Sequence, residues 1–290
     1  MQKIGYFAFR FFIVFLWLTP FWLLYLLADF TYFMLHKVVK YRLKVVRDNL
    51  HKCFPSKSPS ELLDLEKKFY KNLSMITVES LKGLSMSAKE MQKRYKITNM
   101  EVANKYFDQG KSVIVLAAHY SNWEWAVDAV SVLKHHVIGF YKPLSNKYID
   151  QYLKEKRADE GVELASIFET RHFFSKAQEK PSMYVLVADQ NPGKAEKAIW
   201  VDFLNRDTAC LRGPEFYIHL MKMPVIYFDN YRVKKGYYNL EIKDFGENLH
   251  ELPQGEITKI YMKTLEEIIQ REPGDWLWSH KRWKHKRIKE

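Results

Sequence analysis

A chain of 290 residues is long enough to bury a substantial core and fits one α/β domain better than two. The formal net charge of +12 calls for anionic partners such as phospholipid headgroups, a phosphorylated lipid, nucleic acid or an acidic protein, and the aromatic content of 16% suits a membrane interface as well as a single-stranded nucleic-acid site. The two cysteines, Cys53 and Cys210, exclude a disulfide framework and a four-cysteine metal site and indicate a reducing compartment.

The first predicted element is an apolar segment without charges, from Phe11 to Ala28. It is long enough to cross a bilayer as a helix, and Pro20 at its middle is tolerated in a membrane helix. The segment is longer than the apolar part of most signal peptides, and no small-residue cleavage site follows it. We therefore predict a retained membrane anchor over residues 1–36 and a cytoplasmic domain over residues 37–290.

Flanking charge predicts the orientation of this anchor. Only Lys3 and Arg10 precede it, whereas the basic residues that follow are Lys37, Lys40, Arg42, Lys44 and Arg47. Because cytoplasmic flanks carry the excess of Lys and Arg, the folded domain is expected on the cytoplasmic side, with the membrane rather than nucleic acid as its partner. A helix that dips into one leaflet without crossing it fits the same sequence and stays open.

The region between the anchor and Gly110 is predicted to be mainly helical. Residues 38–46 mix apolar and basic side chains, which fits a helix lying on an anionic membrane surface and an ordinary solvated helix equally well. Ser60 is expected to cap a helix over residues 61–83, and a shorter helix is expected between Asn99 and Gly110. None of these elements carries candidate chemistry.

The best candidate for a site follows a short buried strand. Residues 113–118 read VIVLAA, and β-branched side chains in so short an apolar run predict a strand rather than a helix. His119 comes next, and the S-x-x-E pattern of Ser121 and Glu124 predicts a helix start in which Ser121 caps the first turn. His119 therefore lies at a strand-to-helix turn, where open α/β sheets usually keep their chemistry.

After this turn, strands and helices alternate along the chain. The predicted strands cover residues 137–140, 162–168 and 183–188, and the predicted helices cover residues 146–159, 172–178, 214–221 and 256–271. A strand pair is expected on either side of Gly236. This alternation predicts an α/β fold with a mostly parallel sheet flanked by helices, preceded by the membrane-anchoring helix.

His119 and Glu124 form the candidate catalytic pair. Because His119 precedes the helix, a carboxylate on the first helical turn can accept a hydrogen bond from one imidazole nitrogen, which leaves the other nitrogen as a general base. Such a pair deprotonates a hydroxyl that attacks a carbonyl, without an acyl-enzyme intermediate. Alternatively, Glu124 only completes a capping box, worth about 1 kcal/mol of helix stability, and the two roles are compatible.

The turn AAHYSNWEW is similar to the H-x4-D/E signature of acyltransferases that act on membrane lipids. The wider chain resembles the late acyltransferases of lipid A biosynthesis, the lauroyl and myristoyl transferases, over nearly its whole length. Besides the turn and the N-terminal anchor, the resemblance rests on RLKVVRDNLHKCFP from Arg42, KRADEG ending at Gly161, ADQNPG from Ala188, DTACLRGP from Asp207 and WLWSHKRWK from Trp276.

This resemblance implies an inner-membrane enzyme of lipopolysaccharide biosynthesis. Such an enzyme moves a fatty acyl chain from acyl carrier protein to a hydroxyl of a lipid A precursor. By position, the resemblance assigns His119 as the general base and Glu124 as its partner. It also matches Arg157, in the R-x3-G pattern, and Asp189 and Gln190, at a strand end, to further functional positions.

The residue types allow these roles and also plainer ones. A guanidinium at Arg157 can hold a phosphate or stabilise negative charge on a thioester oxygen, although the residues alone favour a surface ion pair with Asp159 or Glu160. Asp189 can orient Arg157 or a substrate hydroxyl, or be an ordinary turn residue. Asn191 stands where the family more often has an acidic residue, which bears on acceptor preference more than on reaction type.

Three further positions complete the candidate substrate-binding set. Gly213 begins a helix whose N-terminus can receive an anion, with Arg212 close by, although Pro214 is ordinary helix punctuation. The resemblance gives Arg282 a binding role, where composition fits a solvated basic tail equally well.

The sequence contains no H-E-x-x-H zinc-binding motif, no P-loop and no G-x-G-x-x-G dinucleotide-binding motif. We therefore expect no metal or other cofactor. Two rivals stay open: an acyltransferase for another glycolipid or aminolipid, and a non-catalytic membrane-anchored lipid-binding protein.

Overall fold

The computed structural model describes residues 2–287, and at its centre lies a seven-stranded, mostly parallel sheet. The strands in chain order are β1 (Tyr95–Thr98), β2 (Val113–Ala117), β3 (His136–Tyr141), β4 (Val162–Ser166), β5 (Ser182–Val187), β6 (Ile199–Phe203), β7 (Arg206–Cys210), β8 (Val225–Lys234) and β9 (Tyr237–Gly246). In the sheet their order is β1-β9-β8-β2-β5-β3-β4, and β6 pairs with β7 in a separate hairpin. Only β8 and β9 pair in antiparallel fashion within the main sheet.

Helices surround this sheet. They are α1 (Gln2–Leu18), α2 (Phe21–Tyr32), a π-helix (Phe33–Val38), α3 (Leu43–Cys53), α4 (Pro59–Gly83), α5 (Ala88–Arg94), α6 (Met100–Asp108), α7 (Trp123–Ala129), α8 (Lys147–Asp159), α9 (Thr170–Ser175), α10 (Gly213–Met221) and α11 (Glu256–Arg271). The predicted α/β class, with a mostly parallel sheet between helices, is confirmed. The strand β1 was not predicted because its alternating pattern covers only four residues, and the β6–β7 hairpin was not predicted because it has no clear alternating pattern.

Strand β2 is the central element of the core. All five of its side chains are buried, and they alternate between the two sheet faces. Ile114 and Leu116 belong to the apolar cluster that contains Leu265, whereas Val113 and Val115 pack in the cluster that contains Trp125. Burying each such side chain stabilises the fold by about 1.5–3 kcal/mol, so the end of β2 is a firmly held place for a site.

The N-terminal apolar segment is two helices rather than the one that was expected. Pro20 has no N–H to continue α1 and instead stands as the N-cap of α2. Among residues 2–287, no single helix is both long and apolar enough to cross a membrane. The bent pair Phe21–Val38 and Leu43–Cys53 meets the length and composition criteria together, with an angle of 87°.

A buried lysine of α4 fastens the end of α1. The ammonium group of Lys82 donates to the carbonyls of Leu16, Trp17 and Thr19 at 2.7, 2.9 and 3.0 Å, and so satisfies C-terminal carbonyls of the helix. The outward faces of α1 and α2 leave large apolar side chains exposed, namely Ile4, Phe7, Phe11, Phe12, Val14, Phe15, Trp17, Leu18, Trp22, Leu23, Leu26 and Phe30. So large an apolar surface marks an interaction site.

Candidate active site

The turn after β2 differs from the predicted helix start. Ser121 has a left-handed backbone with φ of 53°, and its N–H donates to the carbonyl of Asp275 at 2.9 Å. The cap of α7 is Asn122, whose side-chain oxygen accepts from the N–H of Trp125 at 3.0 Å. The capping box expected from Ser121 and Glu124 is therefore wrong, because a distant backbone carbonyl takes the N–H that Glu124 was to satisfy.

A buried carboxylate of α4 supports this turn from behind. Glu79 accepts hydrogen bonds from the side-chain amide of Asn122 at 2.9 Å and from the hydroxyl of Tyr238 at 2.6 Å. The hydroxyl of Tyr25, on α2, is a third donor at 3.1 Å. Burial raises the pKa of Glu79 despite these three donors. One side chain thus joins the apolar helix α2, the sheet and the cap of α7.

His119 meets Asp189 because their strands are neighbours in register. Strands β2 and β5 run parallel with Ala117 opposite Val187, so the residues two positions beyond each strand end also lie side by side. The Nδ1 atom of His119 is 2.7 Å from Oδ1 of Asp189, and the backbone N–H of His119 donates to Oδ2 at 3.2 Å. The carboxylate of Asp189 therefore fixes both the ring and the backbone of His119.

Asp189 is itself buried and held from a third direction. Its side chain is 2% exposed, and the indole N–H of Trp276 donates to its Oδ2 at 2.9 Å. Burial alone would raise the pKa of this carboxyl, but the charge of His119 and the three hydrogen bonds outweigh it and hold the pKa below the ordinary value. Asp189 is therefore ionised, and its carboxylate accepts a hydrogen bond from the N–H at Nδ1 of His119.

The charges around His119 suit it to act as a base, and its side chain is accessible. Burial alone would lower the pKa of the imidazole, but the charge and hydrogen bond of Asp189, with a smaller contribution from Glu124, raise it above 6.5. With Nδ1 donating to Asp189, the neutral ring carries its lone pair on Nε2. The His119 side chain is 23% exposed, so Nε2 can meet a substrate.

Glu124 makes different contacts from those of Asp189. Its carboxylate accepts from the indole N–H of Trp123 at 3.1 Å and lies 3.6 Å from a guanidinium nitrogen of Arg157. The side chain is 44% exposed. The hydrogen bond that the sequence assigned to His119 and Glu124 is made by Asp189 instead, and the catalytic role of Glu124 stays a prediction.

Arg157 is buried near the C-terminus of α8 rather than on the surface. Its Nε lies 3.0 Å from a carboxylate oxygen of Asp128, an ion-pair distance without hydrogen-bond alignment. Burial raises the pKa of Asp128 to about 7 even though Arg157 lowers it. The expected surface pairing of Arg157 with Asp159 or Glu160 is not found among the described residues, and Lys156 pairs with Glu160.

Gln190 and an unpredicted histidine complete the edge of the site. The side-chain amide nitrogen of Gln190 lies 3.4 Å from both ring nitrogens of His119. His280 accepts from the N–H of Asn191 at 3.3 Å, and burial lowers the pKa of His280 to about 4, so its ring is neutral. Sequence reasoning missed the contacts of Trp276 and His280, although both belong to the segment WLWSHKRWK.

The other three candidate residues lie apart from this cluster. Arg212 and Gly213 are exposed at the start of α10. Arg282 is buried rather than part of a solvated tail, where it donates to the carbonyl of Ala209 and lies 3.1 Å from the sulfur of Cys210. Within residues 2–287 no group of His, Cys, Asp and Glu side chains is arranged to hold a metal ion.

Comparison with known proteins identifies the family. The model of the bacterial lipid A biosynthesis acyltransferases matches residues 1–285, which confirms the resemblance seen in the sequence segments. No curated protein matches the chain significantly. The family match covers nearly the whole chain, and it includes the β2–α7 turn and the strand end at Asp189. The protein therefore belongs to the bacterial lipid A biosynthesis acyltransferases, and its role is that of an acyltransferase in lipopolysaccharide biosynthesis.

Proposed function

We propose that this protein is an O-acyltransferase that moves a fatty acyl chain from the thioester of acyl carrier protein to a hydroxyl of a lipid A precursor. The observation that carries the proposal is the short hydrogen bond between His119 and the buried carboxylate of Asp189. This bond leaves Nε2 of His119 as a base at the carboxyl end of β2.

The proposed reaction has one tetrahedral intermediate and no acyl-enzyme. Nε2 of His119 takes the proton of the acceptor hydroxyl while the oxygen attacks the thioester carbonyl, and Asp189 stabilises the imidazolium that forms. Collapse of the intermediate breaks the carbon–sulfur bond and expels the thiolate of the carrier. The imidazolium returns its proton to this thiolate, so the base is neutral again and the products are an ester and a thiol.

Glu124 and Arg157 have supporting roles in the proposal. Glu124 remains the partner of His119, but it acts by charge rather than by a hydrogen bond, since its carboxylate contributes to the raised pKa of the imidazole. Arg157 is held between Asp128 and Glu124, where its guanidinium can stabilise the oxyanion. The amide of Gln190 lies next to the ring and is available to the acceptor hydroxyl.

The proposed location is the cytoplasmic side of the inner membrane. The exposed apolar faces of α1 and α2 support contact with lipid, and the exposed basic residues that follow, from Lys37 to Arg47, suit an anionic leaflet. The net charge of +12 also suits an acidic carrier protein as the donor. Acceptor and donor would then meet at the carboxyl end of the sheet strands, beside His119.

The test is acyl transfer by the full-length protein in detergent. Labelled acyl chains are supplied on acyl carrier protein or on coenzyme A, with a tetraacylated lipid A precursor as the acceptor. We expect an alkali-labile product from the carrier protein. We expect His119→Ala to lose on the order of 10³-fold in rate, because general base catalysis contributes about 10²–10⁴-fold. His172→Ala, at an exposed histidine of α9, is the matched control and should keep wild-type activity.

Each opposite result removes one part of the proposal. If wild-type protein acylates only a different glycolipid or an aminolipid, the proposed acceptor is wrong. Transfer from coenzyme A alone would remove the carrier protein as donor. If the protein binds these lipids without acylating any, or if His119→Ala is as active as wild type, the mechanism fails.

A further inference from the structure

A basic groove lies between α3 and the C-terminal segment, outside the cluster around His119. It has a volume of about 380 Å³, and we call it the α3 groove. The side chains that define it are Lys44, Val45, Asp48, Asn49, Lys281, Trp283 and Lys284. A volume of this size matches a small-molecule or headgroup site rather than the wide face that docks a protein.

The walls of the α3 groove are fixed by buried contacts. The indole N–H of Trp283 donates to the hydroxyl of Thr208 at 2.7 Å, and the guanidinium of Arg206 lies 4.1 Å from the centre of the Trp283 ring. The side chain of Asn49 donates to the carbonyls of Trp278 at 2.9 Å and His280 at 3.1 Å. The groove is therefore preformed, and its long lysine side chains are the parts free to adapt.

The charge of the α3 groove calls for an anion. Within residues 2–287, the ammonium groups of Lys44, Lys281 and Lys284 form no ion pair with a carboxylate. The one acidic residue of the groove, Asp48, pairs with Lys52 at 2.6 Å. All three lysines are exposed, so solvent and salt screen much of their mutual repulsion, and an anion bound between them would remove the rest.

The position of the α3 groove connects two regions that an acceptor lipid must reach. On the α3 wall, the chain comes directly from the segment that bears exposed Val38 and Val39. On the C-terminal wall, Lys281 directly follows His280, whose ring accepts from the N–H of Asn191 beside the Gln190 and His119 contact. A lipid with its chains at the apolar segment can thus place a polar headgroup across the groove and toward His119.

We infer that the α3 groove binds a phosphate group on the headgroup of the acceptor lipid, through Lys44, Lys281 and Lys284. This inference rests on the proposed function, because it concerns the acceptor of that same reaction. Lysine ammonium groups are suited to a tetrahedral phosphate as point charges, and the concave shape fits one phosphorylated sugar. An acidic carrier protein would need a broader surface than this groove.

The experiment compares the triple variant Lys44→Ala, Lys281→Ala, Lys284→Ala with wild type on one acceptor lipid, with and without its phosphate groups. We expect KM for the phosphorylated acceptor to rise roughly tenfold to a hundredfold, since hydrogen bonds to charged groups are among the stronger ones. The kcat, the KM for the dephosphorylated acceptor and the KM for acyl carrier protein should stay within about twofold. The matched control is Lys89→Ala, Lys93→Ala, Lys263→Ala, which removes three exposed lysines from other helices.

Several results would overturn this inference. An unchanged KM for the phosphorylated acceptor would do so, and a raised KM for the acyl carrier protein would make the groove a docking site for the donor instead. A uniform loss with both acceptors would make it a general membrane contact. If wild-type protein transfers no acyl chain, the proposed function fails, and co-sedimentation with micelles of the two acceptor forms still tests the groove. Equal retention of both forms by wild type would then reject it.

Discussion

The two carboxylates whose charges raise the pKa of His119, Asp189 and Glu124, are held in opposite ways. Asp189 is buried and accepts three hydrogen bonds, two from His119 and one from Trp276. Glu124 is half exposed, with one hydrogen bond from Trp123 and a longer approach to Arg157. A buried, fully bonded carboxylate fixes the orientation of the ring, whereas a half-exposed one can exchange its contacts when substrate arrives. The same functional group is therefore rigid at Asp189 and adaptable at Glu124.

Removing the charge of the buried carboxylate, Asp189, should have the largest effect on activity. Asp189→Asn keeps the size of the side chain but no longer stabilises the imidazolium, so we expect kcat to fall on the order of 10³-fold, within the range of general base catalysis. The measurement is single-turnover acyl transfer, with near-ultraviolet circular dichroism as the folding control. A loss of less than tenfold in a folded variant would mean that Asp189 only supports the turn.

Neutralising the half-exposed carboxylate, Glu124, should lower the activity less. For Glu124→Gln we expect kcat/KM to fall about fivefold, because a half-exposed ion pair contributes only about 1 kcal/mol. Steady-state kinetics with both substrates measures the change. If the loss equals that of Asp189→Asn, the two carboxylates act as one unit and the contrast between them fails. Full activity would leave Glu124 without a catalytic role.

The smallest expected effect is a shift in the pH profile. The pKa of His119 lies above 6.5 in the folded protein, so the imidazole is protonated at lower pH and becomes a base only as the pH rises through this pKa. We expect kcat/KM to rise with pH and to level off above that point. Because the charge of Glu124 contributes to the raised pKa, Glu124→Gln should move the acidic limb to lower pH. A limb that moves to higher pH, or does not move, would contradict this electrostatic link.

The sequence predicted His119 at a strand end because the cause is local. A short β-branched run followed by a polar turn identifies β2 without tertiary information. The hydrogen-bond partner of His119, in contrast, depends on the register that sets Ala117 opposite Val187. That register comes from the pairing of two strands about 70 residues apart in the chain. Spacing therefore pointed to the nearby Glu124. Asp189 was found only through the family resemblance, and its expected partner was Arg157 or a substrate hydroxyl rather than His119.

Helix caps show the same limit. Ser58 and Glu61 form the full capping box of α4, two residues before the expected cap at Ser60. The same S-x-x-E pattern at Ser121 and Glu124 forms no capping box. The N–H of Ser121 donates to the backbone carbonyl of Asp275, and Asn122 caps α7 instead. At Pro20 the prediction of one continuous helix was wrong, because α1 ends at Leu18 and Pro20, which has no N–H, is the N-cap of α2.

The hydrogen bonds of Glu79 have a consequence for the order of folding. Its carboxyl group is satisfied only when Tyr25, Asn122 and Tyr238 have all arrived, and these residues come from widely separated parts of the chain. An unsatisfied buried carboxyl is costly, so the cap of α7 cannot reach its final state by local folding alone. The catalytic turn is completed together with the docking of α2, and a chain that has not placed its first apolar helices has not yet finished its active site.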